Sequence, residues 1–281
     1  MINTICVAGA GTMGSGIAMT CAQNGYTVIL FDTNEAIIEK ATTSISKSLE
    51  QLVEKNKISA AEKEAVLSRH TFTTLIDHCK ADLVIEAIIE KEDAKVDLFT
   101  KLTAINSSET IFASNTSSLS INTIQKRIQY PERVAGMHFF NPAQIMKLVE
   151  VVKGEQTSDT TAQTLMEICR QLKKVPVLCK DAPGFIVNRV ARHYYLEAMR
   201  LVEANIATFE TVDALMEASG FKMGPFKLMD LIGMDINLAV SQSLYDAFHE
   251  EPRFKPSPIQ IKKVKDGELG KKTGKGFYQY N

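Results

Sequence analysis

The residues NTICVAGAGTMGSGIAMTCAQNGYTVILFD, at positions 3–32, give the clearest indication of how the first part of this chain folds. It begins with a short apolar strand pattern, continues with the glycine spacing GxGxxG, and then has an apolar run with helical periodicity. A second apolar strand pattern follows and ends in Asp32. A GxGxxG motif between a strand and a helix, with an acidic residue about 20 positions further on, is typical of a dinucleotide-binding βαβ unit.

The residues of this motif have separate roles in such a unit. Its three glycines allow a tight turn, close approach of the backbone to a pyrophosphate, and close packing of helix on strand. The helix N-terminus adds free amides and the positive end of its dipole, which attract phosphate. The sequence therefore predicts a cofactor loop that consists of Gly9, Gly11, Thr12, Met13 and Gly14. The alternative is a glycine-rich turn that binds no cofactor.

Asp32 indicates which nicotinamide cofactor is bound. A carboxylate at the end of the second strand accepts hydrogen bonds from the adenosine ribose diol and repels a 2′-phosphate. The sequence therefore predicts NAD rather than NADP as the cofactor.

A second stretch, VAGMHFFNPAQIMKLVEVV at residues 134–152, carries the candidate chemistry. It places His138 at the end of an apolar strand and Glu150 inside the next one, where period-two alternation puts Glu150 on a face with Leu148 and Val152. An unpaired carboxylate is costly to bury there, so His138 is its expected partner. A histidine held by a carboxylate is suited to general base catalysis. The alternative is a satisfied core histidine and a glutamate at the surface of an edge strand.

The two stretches, together with several others, resemble the L-3-hydroxyacyl-CoA dehydrogenases, and among them the short bacterial 3-hydroxybutyryl-CoA dehydrogenases. The resemblance covers nearly all 281 residues. The other stretches that carry it are DLVIEAIIE (82–90), ASNTSS (113–118), HFFNP (138–142), CKDAPGFIVNR (179–189), MGPF (223–226) and GKKTGKGFY (270–278).

The resemblance implies NAD-dependent interconversion of a short-chain 3-hydroxyacyl-CoA and a 3-ketoacyl-CoA, such as 3-hydroxybutyryl-CoA and acetoacetyl-CoA. It implies that His138 is the base, that Glu150 orients it, and that Ser117 and Asn188 bind the reacting oxygen and the thioester carbonyl. Without the resemblance, the sequence around Ser117 fits a helix N-cap as well as a ligand contact. Asn188 is expected one turn inside a helix, where Asn has low propensity, with a tolerated surface position as its alternative.

The same resemblance implies further contacts with cofactor and substrate. On the cofactor side it adds Ser117 together with Glu90, Lys95, Asn141 and Lys272. On the substrate side it adds Ser48 and Lys55, of which Lys55 is the expected partner of a CoA phosphate. The alternative for Lys55 is an ordinary solvated lysine.

Composition excludes several classes of function. A net charge of −1 gives no basic footprint for nucleic acid, and no apolar run approaches the roughly 20 residues of a membrane span. No signal peptide is expected, because the first residues already match strand and fingerprint. The five cysteines include no CxxC pair and mostly lie in apolar stretches, which predicts reduced thiols in a cytoplasmic protein. The histidines show no metal-ligand spacing, so no metal is predicted.

The remaining pattern predicts an α/β fold, a Rossmann-type nucleotide-binding domain followed by a smaller all-α domain. Strand patterns lie near residues 3–8, 27–31, 82–89, 110–114, 133–138, 147–152 and 175–179. A helical pair over 34–55 and 58–68 is longer than a nucleotide fold needs, which predicts a role in substrate binding. The turn DAPG at 181–184 predicts domains over residues 1–183 and 184–281.

The second of these domains is rich in Met and Leu, with more apolar side chains than one small core requires. This surplus predicts a homodimer that forms through the C-terminal helical domain, as the family resemblance also implies. The alternative is that these side chains simply form the core.

Two other functions fit the same motifs. One is an NAD-dependent 3-hydroxy acid dehydrogenase that acts on a free sugar acid without CoA, against which Ser48, Lys55 and the HFFNP stretch argue. The other is a non-catalytic NAD sensor of the same fold. The full set of His138, Glu150, Ser117 and Asn188 argues against a sensor, which has no need of all four.

Overall fold

The computed structural model describes residues 2–280 of the chain. The chain divides into two compact units, Met1–Ala182 and Pro183–Asn281. Among residues 2–280, no helix is long and apolar enough to cross a bilayer.

The first unit is built on one sheet with the strand order β3-β2-β1-β4-β5-β6-β7-β8. The strands are β1 Thr4–Ala8, β2 Thr27–Phe31, β3 His70–Thr73, β4 Leu83–Glu86, β5 Ile111–Ser114, β6 Val134–Phe139, β7 Leu148–Lys153 and β8 Val175–Lys180. All neighbours are parallel except β6 and β7, which are antiparallel. The predicted α/β class is confirmed, but β3 was missed because four residues with two threonines carry little apolar pattern.

Helices cover both faces of this sheet, which explains why its central strands are apolar on both sides. The helices of this unit are α1 Thr12–Gln23, α2 Glu35–Glu54, α3 Ala60–Ser68, α4 Glu92–Ile105, α5 Ile121–Gln125 and α6 Asp159–Gln171. Alternate residues of β1 show the two faces: Ile5 and Val7 belong to the core under α1 and α6, and Cys6 and Ala8 to the core under α4.

The predicted helical pair is present as α2 and α3. Asn34 caps α2, since its side chain accepts from the Ala36 amide, and the buried residues Ile38, Ala41, Ile45 and Leu49 follow the helical period. A capping box of Ser59 and Glu62 starts α3.

The second unit is helical, with α7 Val187–Glu203, α8 Phe209–Ala218, α9 Pro225–Ile232, α10 Met234–Ala247 and α11 Pro258–Lys265. Three methionines, Met199, Met229 and Met234, are fully buried in the hydrophobic core of this unit, so they are core residues rather than interface candidates. Leu215 and Leu231 are 64% and 50% exposed, so they are not part of that core.

Candidate active site

The cofactor loop begins where β1 ends and α1 starts. Gly9 has φ +105°, and a Cβ there would lie 2.6 Å from the carbonyl oxygen of Ala87. A Cβ on Gly14 would lie only 1.7 Å from the carbonyl oxygen of Gly9. At Gly11, by contrast, such a Cβ would meet nothing within 4 Å among residues 2–280 other than the adjoining backbone. Two glycines are thus required by packing, and the third leaves open space beside the backbone.

This open space adjoins the N-terminus of α1. Gly11 is the N-cap and so provides no side-chain cap, and the first turn of α1 holds no acidic residue. Gly11 and Thr12 are exposed and Met13 is half-buried. A bare, exposed helix N-terminus can receive a pyrophosphate, so the residues present fit a dinucleotide.

Asp32 follows β2 directly and is tied to the same loop. One carboxylate oxygen accepts from the Ala10 amide at 2.9 Å, and the other accepts from the Asn34 amide at 3.1 Å. These bonds fix the carboxylate beside the cofactor loop. Each oxygen retains acceptor capacity for a ribose hydroxyl.

His138 and Glu150 form a buried pair. The antiparallel register of β6 and β7 sets the two residues directly opposite each other, and Nδ1 of His138 lies 2.8 Å from Oε2 of Glu150. The two residues are 7% and 1% exposed. Because a carboxylate only accepts, the bond holds the proton on Nδ1 and leaves Nε2 as the basic nitrogen.

The packing around this pair is close. The ring of Phe140 lies 4.5 Å from the His138 ring, measured between centroids. Gly136 of β6 lies opposite Val152 of β7, and a side chain added at Gly136 would place its Cβ only 2.8 Å from the Val152 Cβ. The absence of a side chain at Gly136 therefore lets β6 and β7 approach each other beside the pair.

Ser117 lies in a loop after β5 that a single carboxylate organises. Oε1 of Glu90 accepts from the hydroxyl of Thr116 at 2.6 Å and from the amides of Ser117 at 2.9 Å and Ser118 at 3.2 Å. The N-cap of α5 is Ser120, so the N-cap alternative for Ser117 is wrong. Burial alone raises the pKa of Glu90, but the Lys95 ammonium and the hydrogen bonds from the loop lower it overall.

Lys95 connects this loop to a fully buried acid that the sequence analysis did not assign. Its ammonium lies 3.1 Å from Oε2 of Glu90 and 2.6 Å from Oε1 of Glu86, and neither Lys95 nor Glu86 is exposed at all. The Ser114 hydroxyl donates to the other oxygen of Glu86 at 2.6 Å. Burial raises the pKa of Glu86, against the opposing effect of Lys95. The signal was present, since an acid inside an apolar strand also revealed Glu150.

Asn115 was also missed. Its side-chain oxygen accepts from the amide of Phe139 at 2.8 Å, so it joins the Ser117 loop to β6 one residue beyond His138. A single Asn in a polar loop gives no sequence signal for such a bond.

Asn141 is exposed and begins the segment 141–147 that leads from β6 to β7. Lys174 holds this segment, since its ammonium donates to the carbonyl oxygens of Ala143 and Met146.

The predicted CoA contacts lie along α2. The Ser48 hydroxyl donates to the carbonyl oxygen of Ser44, and Lys55 is the exposed C-cap residue of the helix. A separation of seven residues puts both on one face, about 10 Å apart along the axis.

The other two predicted residues belong to the second unit. Asn188 is the second residue of α7, so the expectation that it lies one turn inside a helix is wrong. The helix begins late because Phe185 has φ +48°, outside the helical region. Lys272 lies in a short 3₁₀ turn, Lys271–Thr273, where its ammonium bonds to the carboxylate of Asp235.

Comparison with known families gives a match over both units. The family model described as "3-hydroxyacyl-CoA dehydrogenase, NAD binding domain" matches residues 4–182, and the one described as "3-hydroxyacyl-CoA dehydrogenase, C-terminal domain" matches residues 184–280. The chain belongs to the 3-hydroxyacyl-CoA dehydrogenase family. The predicted resemblance and the predicted NAD cofactor are confirmed, and the protein is an NAD-dependent dehydrogenase.

Individual relatives agree with this assignment. A 3-hydroxybutyryl-CoA dehydrogenase of Clostridioides difficile is 40% identical over 279 residues, which are 99% of each chain. The solved (S)-3-hydroxybutyryl-CoA dehydrogenase of Ralstonia eutropha is 39% identical with a TM-score of 0.96, and all of each chain is covered. A 3-hydroxyadipyl-CoA dehydrogenase of Escherichia coli is 45% identical over 281 residues. Those residues are 99% of this chain and 59% of the relative, so the present chain spans about three fifths of that protein's length.

Proposed function

We propose that this dehydrogenase interconverts a short-chain 3-hydroxyacyl-CoA, 3-hydroxybutyryl-CoA, and the corresponding 3-ketoacyl-CoA, acetoacetyl-CoA. The observation that carries the proposal is the buried hydrogen bond between His138 and Glu150. Relatives named 3-hydroxybutyryl-CoA dehydrogenase that match the chain over almost their whole length support the choice of substrate.

The pair supplies the proton chemistry of this reaction. In oxidation, Nε2 of His138 removes the proton from the 3-hydroxyl while Glu150 stabilises the imidazolium that forms. In reduction, the imidazolium returns that proton to the 3-keto oxygen. Bound NAD would supply the hydride chemistry at C3 in both directions. Burial of both side chains strengthens their interaction, since the local dielectric is low.

Other residues hold the two reactants. The cofactor loop and Asp32 bind the pyrophosphate and ribose of NAD, with Glu90, Lys95, Asn141 and Lys272 as further cofactor residues. Ser117 and Asn188 hydrogen-bond the reacting oxygen and the thioester carbonyl, and Ser117 also contacts the cofactor. Ser48 and Lys55 meet the CoA. The Glu90 bonds to the Ser117 loop support this assignment, because the carboxylate accepts from both the amide and the hydroxyl of Ser117 and so fixes the position of that residue.

The proposal extends to domain roles and assembly. Residues 1–183 form the NAD-binding domain, and residues 184–281 form the helical substrate and dimerisation domain. Exposed apolar side chains of the second unit support the dimer; they are Ile186, Val190, Ile206, Leu215, Phe221, Leu231, Ile236 and Ile261. A cytoplasmic location is supported by the five cysteines, all free thiols.

Steady-state kinetics on 3-ketoacyl-CoAs of four to ten carbons test the reaction, with free acetoacetate as the matched substrate that lacks CoA. We expect NADH oxidation with acetoacetyl-CoA and a kcat/KM at least ~100-fold lower with acetoacetate, because the CoA contacts are lost. Equal rates with and without CoA would overturn the substrate assignment and favour a free hydroxy acid. No turnover with any 3-keto compound would contradict the proposed reaction.

A further inference from the structure

A basic groove lies in the first unit between the C-terminal half of α1, helix α3 and the turn that precedes β8. Its volume is about 580 Å³. We define the basic groove by the five cations that line it, which are Lys57, Arg69, Lys147, Lys173 and Lys174. None of them belongs to the proposed NAD or CoA contacts described above.

The charges in the basic groove are not balanced by acids. Glu62 is the one acidic residue in the lining, against five cations, so four positive charges are in excess. The Glu62 carboxylate already accepts from the amide and hydroxyl of Ser59. Among residues 2–280, none of the five cations forms a salt bridge. Since the whole chain has a net charge of −1, this excess is a local feature.

The excess of positive charge is energetically unfavourable at Lys174, because this cation is buried. It is only 8% exposed, and its ammonium donates to two neutral carbonyl oxygens, those of Ala143 at 2.5 Å and Met146 at 3.0 Å. An ammonium carries three donors, so these two carbonyls do not exhaust it. Burial lowers the pKa of Lys174, because a buried cation without a counter-ion is unfavourable.

We propose that the basic groove binds a phosphate-bearing anion, a phosphate ester or diphosphate up to the size of a nucleotide. Several lysines and an arginine around one cavity are the donors that charge-assisted bonds to phosphate require. The volume falls within the usual range of ligand pockets, about 300–1,000 Å³. A bound phosphate supplies the counter-ion that Lys174 lacks.

The position of Lys174 connects this anion site to the candidate active site. The two carbonyls that it holds belong to the segment 141–147, which joins the strands of His138 and Glu150. An anion in the groove therefore stabilises the same segment. This effect on turnover rests on the proposed function, whereas binding of the anion does not.

Inorganic pyrophosphate is the probe for a direct test on the full chain. The chain is first saturated with NADH, so that the cofactor loop is filled, and the melting temperature is followed against pyrophosphate at constant ionic strength. We expect a saturable rise in the melting temperature. In a Lys147→Gln/Lys173→Gln variant we expect the apparent Kd to increase at least about tenfold, because two exposed cations of the groove are lost. Lys174 is left intact, since its substitution could disturb folding.

The matched control is a Lys80→Gln/Lys126→Gln variant, which removes two exposed lysines of the same unit outside the groove. It should bind pyrophosphate as the unchanged chain does. The proposal is overturned if no saturable rise occurs, or if both double variants lose binding equally, because the effect then reflects net charge alone.

Two arms identify the source of the phosphate. If CoA competes with pyrophosphate, and dephospho-CoA competes less well, the groove receives the nucleotide end of the substrate. If pyrophosphate binds in the presence of saturating CoA, the groove takes a separate small anion. Either result supports an anion site. If the chain binds pyrophosphate in the groove but does not reduce acetoacetyl-CoA, the anion site is supported and the proposed function is contradicted.

Discussion

At the level of single residues, the proposed mechanism depends on which nitrogen of His138 carries the resting proton. Glu150 accepts from Nδ1, so the proposed mechanism assigns proton exchange with the substrate to Nε2. Replacing His138 by Gln keeps polarity and approximate size but removes the base.

We expect His138→Gln to lower kcat by at least ~100-fold, with little change in the affinity for NADH. Glu150→Gln should also lower kcat, because the imidazole loses its orientation and the imidazolium its counter-charge. Stopped-flow turnover of acetoacetyl-CoA and fluorescence titration of NADH measure the two quantities. Near-normal turnover in His138→Gln would falsify the mechanism.

The proposed role of Asp32 is to set the choice of cofactor through its charge. We expect a higher kcat/KM with NADH than with NADPH, and a narrowed or reversed ratio in Asp32→Ala, because the repulsion of a 2′-phosphate disappears. The variant also loses the bond to the Ala10 amide, so some loss with NADH is expected as well. A parent enzyme that prefers NADPH would show that another residue sets the choice.

The pKa of the Cys179 thiol depends in part on the charge of Glu150. Burial, followed by the charges of Glu150 and Asp181, raises the pKa of the Cys179 thiol to about 12. Because the thiolate is the reactive form, we expect slow alkylation by iodoacetamide at pH 9 and several-fold faster alkylation in Glu150→Gln. Mass spectrometry of the Cys179 peptide gives the rate, and the fully buried Cys21 serves as the internal reference for unfolding. Equal Cys179 rates in the two chains would contradict a charged Glu150.

At the level of elements, the ion pairs among β4, α4 and the loop after β5 hold Ser117 in place. Glu86 binds Lys95, Lys95 binds Glu90, and Glu90 binds the loop amides. The fully buried Lys95 is the only described cation that touches both carboxylates. A change at Glu86 therefore acts on Ser117 through two intermediates.

We expect Glu86→Gln to lower kcat by about tenfold or more and to lower the melting temperature, because half the charge pairing of a buried lysine is lost. Ser114→Ala is the matched control, since it removes one hydrogen bond to the same carboxylate but leaves the ion pair intact. Its kcat should change less than threefold. If both variants lose stability equally and neither loses kcat, the network has no part in positioning Ser117.

The same elements show what sequence alone can predict. The pair of His138 and Glu150 was predictable because an acid breaks the apolar alternation of a strand, and period-two spacing assigns it to a face. Glu86 gives the same signal but was not assigned a role. Asn115 gives none, because its bond to Phe139 depends on the neighbouring positions of β5 and β6 in the sheet. The position of Asn188 was misjudged because the left-handed backbone at Phe185 leaves no trace in the residue pattern.

At the level of the whole molecule, the proposed homodimer forms through the helical second unit. We expect light scattering to give a dimer for the full chain and a monomer for a chain that ends at Lys180, the last residue of β8. Circular dichroism checks that the shortened chain remains folded. If the shortened chain dimerises as well as the full one, the helical unit is not the interface.

The antiparallel pairing of β6 and β7 also limits how this enzyme can change in length. A single residue inserted or deleted within either strand turns every following side chain to the opposite face, so it would separate His138 from Glu150. The connecting segment 141–147 is outside the ladder, so it can lengthen or shorten without altering which residues face each other. Insertions in this segment are therefore expected to keep His138 opposite Glu150, at the cost of the Lys174 contacts there, whereas insertions within either strand are expected to separate the pair.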